Sequence, residues 1–160
     1  MKKLKLYLET SVWNFIFADD APELRNLTLQ FFAMVERQVY DVYISDLVIF
    51  EIGKAVDKKK EQLMDVIEQY RPTVLQSSSQ AQDLADRYLE AKIVPLKKKE
   101  DALHVAIATL EEMDAIISWN FEHLANLRKS EFFYAVSVMN GYHRRVEIIT
   151  PMEVLYAENP

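Results

Sequence analysis

Four polar residues stand where an apolar core element meets its end or is interrupted. Glu9 follows Leu6-Tyr7-Leu8, Glu51 breaks Leu47-Val48-Ile49-Phe50-Glu51-Ile52, Asp101 precedes Ala102-Leu103-His104-Val105-Ala106-Ile107-Ala108, and Asn120 follows Ile116-Ile117-Ser118-Trp119. A carboxylate facing a core is costly unless it is paired, protonated or bound to a cation, and a shared divalent ion is one explanation common to all four. Each position also has an ordinary structural reading. Glu9 and Asn120 suit a turn or helix cap, Glu51 a solvent-facing helical position, and Asp101 the first helical turn, where an acid complements the helix dipole. His104 shares a helix face with Asp101 and reads as a satisfied core histidine.

These residues need a scaffold, and the hydrophobic pattern supplies one. Strands are expected at Leu4 to Leu8, Asp41 to Ile44, Thr73 to Leu75, Ala115 to Ser118 and Glu147 to Thr150. Helical stretches fall near Pro22 to Gln38, Asp46 to Val56, Lys59 to Tyr70, Ser79 to Ala91, Glu100 to Met113 and Glu131 to Tyr142. A closing helix is signalled by Thr150-Pro151-Met152-Glu153, a capping box with proline at the first helical position. Ser79 with Gln82 gives a weaker start signal. Strands alternating with helices predict an α/β fold with a five-stranded parallel sheet, and in such a sheet ligands bind beyond the carboxyl ends of the strands. Glu9 and Asn120 fall there.

Composition bounds the function. The chain has 160 residues, half of them hydrophobic, which suits one domain spanning 1–160. With only two glycines, Gly53 and Gly141, it has no glycine-rich phosphate loop or dinucleotide fingerprint. The absence of cysteine removes disulfides, thiolate nucleophiles, zinc ribbons and iron–sulfur clusters. After Met1-Lys2-Lys3 the apolar run is broken by Lys5, Glu9 and Asn14, so no signal peptide is expected, and no run approaches the roughly 20 residues of a membrane span. A cytoplasmic protein without a membrane partner is expected. The net charge of −6 argues against a general nucleic-acid coat, although basic clusters at Lys58-Lys59-Lys60, Lys97-Lys98-Lys99, Arg128-Lys129 and Arg144-Arg145 could line a phosphate-binding rim or simply be solvated.

Taken in order, Leu-Tyr-Leu-Glu-Thr-Ser at the first strand, Ile-Ser-Asp-Leu-Val-Ile-Phe-Glu-Ile after the second, Asp-Ala-Leu-His-Val-Ala-Ile-Ala before the fourth and Ser-Trp-Asn-Phe-Glu-His-Leu after it resemble the PIN-domain family. The resemblance runs from about Lys5 to Val154. It implies a three-layer α/β/α sandwich and a ribonuclease dependent on Mg2+ or Mn2+, as in the VapC-type toxins of toxin–antitoxin pairs, with RNA as substrate and a small antitoxin as protein partner. Carried over by motif, Glu9, Glu51 and Asp101 would be metal ligands or water-positioning acids and Asn120 the fourth position. Ser11 and Ser118 would be their hydrogen-bonding supports. Hard divalent cations prefer such oxygen ligands.

Two positions depart from the family pattern, which usually has Asp at both Glu9 and Asn120. Glu moves its carboxylate by about 1 Å, a displacement that can cost ~100-fold in rate. Asn keeps a carbonyl oxygen but removes a charge, and Glu122 is the nearest acid that could substitute. A non-catalytic PIN-like module binding RNA or protein is therefore the alternative. A phosphotransfer receiver domain fits less well, lacking an aspartate pair after the first strand. Phe31, Phe32, Phe132, Phe133 and Tyr134 could build a homodimer interface, with core packing as the competing role of each.

Overall fold

The computed structural model describes residues 2–158. Five strands form one parallel sheet: β1 (Lys5–Leu8), β2 (Asp41–Ser45), β3 (Thr73–Leu75), β4 (Ala115–Ile117) and β5 (Glu147–Ile149), in the order β3-β2-β1-β4-β5. Leu6 aligns with Val42 on one side and Ala115 on the other, so β1 is the central strand. Leu6, Tyr7, Leu8 and all three residues of β4 are buried, as expected of strands covered on both faces, whereas Thr73, Val74 and Glu147 at the two edges are exposed. The order differs from the 2-1-3-4-5 arrangement of receiver-type sheets, which removes that alternative.

The connections are α1 (Thr10–Asn14), α2 (Pro22–Glu36), α3 (Asp46–Gly53), α4 (Asp57–Tyr70), α5 (Ser79–Glu90), α6 (Lys99–Leu110), α7 (Leu127–Met139) and α8 (Pro151–Glu158). They pack in two sets, α1 to α4 with α8 and α5 to α7. Among the described residues no helix is long and apolar enough to cross a membrane. The expected capping box forms reciprocally: the Thr150 N–H donates to Glu153 Oε2 at 2.7 Å and the Glu153 N–H to Thr150 Oγ1 at 3.2 Å.

Three local expectations shift. The cap of α5 is Ser78, whose hydroxyl accepts from the Ala81 N–H at 3.1 Å, so Ser79 is already helical. Helix α7 begins at Leu127, four residues earlier than periodicity indicated, because Asn126 Oδ1 accepts the Lys129 N–H at 3.2 Å. Helix α1 was not expected, its five residues being too few to show a period. Of the aromatics considered for a dimer interface, Phe31, Phe32 and Phe133 are core residues, and Phe132 is exposed.

Candidate functional site

Strand order reverses between β1 and β4. The crevice beyond their carboxyl ends is the topological switch point where open α/β sheets bind ligands. Glu9 is the first residue past β1. Its N–H continues the ladder to the Ile117 carbonyl at 3.1 Å, and its extended backbone precedes α1. The carboxylate is buried, and two hydroxyls donate to its Oε1, Ser11 at 2.5 Å and Ser118 at 2.6 Å. Each hydroxyl in turn accepts a backbone N–H from the segment after β4: Ser11 from Trp119 at 2.9 Å and Ser118 from Asn120 at 3.0 Å. The two serines thus lock Glu9 to the end of β4.

Asp101 enters from the first turn of α6 and is also buried. Its Oδ2 has no hydrogen-bond partner. Burial, reinforced by the charge of Glu9, raises its pKa above the ordinary aspartate value against weaker opposing effects of His104, Asn120 and His123. A carboxylate in this state binds a proton or a cation more readily than an exposed one.

Glu51, on α3, has the opposite company. Its Oε1 accepts from the Thr10 hydroxyl at 2.7 Å and from His104 Nε2 at 2.5 Å. His104 is fully buried on α6, and its Nδ1 meets the Tyr7 hydroxyl at 2.6 Å, which meets Ser45 Oγ at 2.7 Å. Burial would raise the Glu51 pKa, but the bond and charge of His104, with help from Thr10 and Lys54, bring it below the ordinary value. Burial would likewise lower His104, and the bond and charge of Glu51 outweigh it, so the imidazole is raised. The pair favours the ionised form. Burial also raises the Tyr7 phenol well above its usual range, so it stays protonated and serves as a hydrogen-bond link.

Asn120 faces Asp101, and its oxygen is also used by its own loop: Oδ1 accepts the His123 N–H at 3.0 Å, and its main-chain carbonyl accepts from Leu124 at 3.1 Å and Ala125 at 2.8 Å. Glu122 is exposed, 3.6 Å from His123 Nε2, and does not take the place of a fourth acid. The structure therefore gathers Glu9, Asp101, Asn120, Ser11 and Ser118 in one crevice and ties Glu51 to its flank through His104. Thr10, Tyr7 and Ser45 were not singled out from sequence. A tyrosine inside an apolar central strand needs a partner for its hydroxyl, and that requirement was the available signal for Tyr7.

No protein-family model and no curated protein sequence matches the chain. Among solved structures it is similar to a chain of VapBC2 from Rickettsia felis bound to a DNA fragment from its promoter, at 13% identity over 91% of this chain and 98% of that one, with a TM-score of 0.53. It is also similar to a chain of DNA-bound VapBC from Salmonella typhimurium, at 19% identity over 92% and 98% of the two chains, with a TM-score of 0.52. The fold is PIN-like.

PIN-domain nucleases generally use divalent metals. Among the described residues no group of three or more His, Asp and Glu side chains is close enough together to hold an ion. Glu9 and Asp101 nevertheless suit one: both are buried, the charge of one acts on the other, and Asp101 Oδ2 is an oxygen without a partner. Magnesium is commonly held by one or two carboxylates and otherwise by water and substrate phosphate, so two acids are a sufficient protein contribution.

Proposed function

We propose that the protein is a metal-dependent endoribonuclease that hydrolyses RNA phosphodiester bonds and serves as the toxin of a toxin–antitoxin pair. The observation that carries this reading is the buried, unpartnered Asp101 Oδ2 facing the charge of Glu9 at the switch point of a PIN-like sheet. Glu9, fixed by two serine hydroxyls, and Asp101 would hold Mg2+ or Mn2+. Such an ion, when bound, supplies Lewis-acid polarisation of a phosphate and lowers the pKa of water. Glu51, kept ionised by His104, would accept a hydrogen bond from the attacking water at the flank of the crevice. Asn120 would steady Asp101 through its amide. The two similar structures described above are VapBC assemblies, which supports a small antitoxin as partner. The same reading takes 1–160 as one cytoplasmic domain.

A second reading, a PIN-like module that binds RNA or protein without cleaving it, is favoured by the engagement of Glu51 with His104 and Thr10, which leaves Glu9 and Asp101 as the only two acids proposed to hold an ion in the crevice. Purified protein incubated with single-stranded RNA separates the two. The nuclease reading predicts cleavage with Mg2+ or Mn2+ that EDTA and Asp101→Asn both abolish. Cleavage that survives both changes contradicts it, and tight binding without turnover at millimolar Mn2+ establishes the binding module.

A further inference from the structure

The bonds on Glu51 are arranged asymmetrically. Both of its donors, the Thr10 hydroxyl at 2.7 Å and His104 Nε2 at 2.5 Å, land on Oε1. Oε2 has no hydrogen-bond partner among the described residues and, unlike Asp101 Oδ2, it is not buried, the side chain being 25% exposed. One oxygen is clamped and the other is left to a ligand. The clamp reaches across the fold: Tyr7 lies in the central strand β1, Ser45 ends β2 just before α3, Glu51 sits on α3, and His104 sits on α6 three residues after Asp101. Contacts of 2.7 Å from Ser45 to Tyr7, 2.6 Å from Tyr7 to His104 and 2.5 Å from His104 to Glu51 therefore tie the helix of Glu51 to the helix of Asp101.

Tyr7, Ser45 and His104 are each 0% exposed, and apolar side chains of the same bulk could hold these elements together as well or better. What apolar groups cannot do is fix a tautomer. An ionised carboxylate only accepts, so His104 Nε2 must carry a hydrogen, and in the neutral ring Nδ1 is then an acceptor to which the Tyr7 hydroxyl donates. The Tyr7 oxygen accepts from Ser45 in turn. Without the Tyr7 hydroxyl, nothing in this chain disfavours the Nδ1–H tautomer, which cannot donate to Glu51. We infer that Tyr7 is a positioning residue: its hydroxyl, held by Ser45, keeps His104 in the Nε2–H form, so that Glu51 Oε1 stays clamped and Oε2 orients the water that attacks the phosphodiester. The inference rests on the ribonuclease reading and adds to it the residues that aim its water-positioning acid.

Tyr7→Phe removes the hydroxyl alone. In the full chain with Mn2+ and single-stranded RNA, kcat should fall about 10-fold while KM and Mn2+ affinity are unchanged, as expected when a catalytic group is misaimed and binding is not touched. 15N NMR of histidine-labelled protein at alkaline pH should show His104 as Nε2–H in wild type and as a mixture of tautomers in Tyr7→Phe. Ser45→Ala, the second variant should Tyr7→Phe fold poorly, should move both readouts in the same direction by a smaller amount. His104 found as Nδ1–H in wild type, or an unchanged kcat in folded Tyr7→Phe, overturns the inference, while cation-dependent RNA cleavage by wild type leaves the nuclease reading standing. A fall in Mn2+ affinity in place of kcat also overturns it, because Glu51 would then be a ligand of the ion. Absence of cation-dependent cleavage in wild type overturns the two together.

Discussion

Glu51, half-buried, and Asp101, buried, are acids on helices flanking the same crevice, and their surroundings are opposite. Glu51 receives a hydroxyl and the His104 imidazole on one oxygen, and behind that imidazole a tyrosine and a serine complete a chain into the sheet. Asp101 has an oxygen with no partner and a second acid as neighbour. A neutralised acid stabilises the fold, whereas an uncompensated one raises the energy of the folded state and is relieved only by a proton or a cation. The difference sets a hydrogen-bonded side, reaching β2, against an uncompensated side between β1 and β4, the one proposed to bind the cation.

Replacing Asp101 by Asn tests the binding side and should have the largest effect. RNA cleavage should fall by about 100-fold or more, since even groups that only support metal ligands are commonly worth ~10–100-fold. The thermal midpoint should hold or rise, because a buried uncompensated charge is removed. A large fall in the midpoint would show that Asp101 is structural. His104→Ala tests the other side. It leaves Glu51 and the Tyr7 hydroxyl without their partner and opens a cavity, so urea denaturation should show a loss of about 3 kcal/mol. An unchanged midpoint would dissolve the distinction between the two sides.

Smaller effects sharpen the comparison. Ser118→Ala removes one donor from Glu9 and the acceptor of the Asn120 N–H, which should cost about 1 kcal/mol in stability and ~10-fold in Mn2+ affinity by calorimetry. Affinity equal to wild type would make the serine dispensable.

The ionised Glu51–His104 pair also gives stability a pH signature. The lowered Glu51 pKa contributes stability above its unfolded value, lost as pH falls through the folded one. The raised His104 pKa contributes below its unfolded value, lost as pH rises through the folded one. Full stabilisation by the pair therefore spans about pH 4.3 to 6.5. Above this window the network keeps its bonds, because neutral His104 still donates from Nε2 to Glu51 and accepts at Nδ1 from Tyr7, so the decline should be shallow. Thermal midpoints measured from pH 4 to 9 should show it in wild type and not in His104→Ala; identical profiles would place the ionised pair elsewhere.

The sheet was readable because its strands are short apolar runs separated by amphipathic helices, and observed ends fall within about a residue of expectation. Helix starts set by a single cap were harder: Ser78 and Asn126 act through a side-chain oxygen that no periodic pattern reveals. At the site, the acids stood out because charge beside an apolar run is conspicuous. The network behind Glu51 was less plain: His104 read as a satisfied core histidine without its partner, and Tyr7 sits inside an apolar run, where only the need to satisfy a buried polar group betrays it. Asn120 was read as an oxygen donor to a metal, and its oxygen also closes the turn that carries Phe121, a use that depends on loop geometry invisible in the sequence.

The proposal that Glu9 and Asp101 hold the cation while Glu51, held by His104, does not coordinate it is tested by titrating Mn2+ into wild type, Asp101→Asn and Glu51→Gln by electron paramagnetic resonance. The account predicts one bound ion in wild type, none in Asp101→Asn, and one in Glu51→Gln with affinity within about 10-fold of wild type. Retention of the ion by Asp101→Asn, or its loss from Glu51→Gln alone, would contradict it.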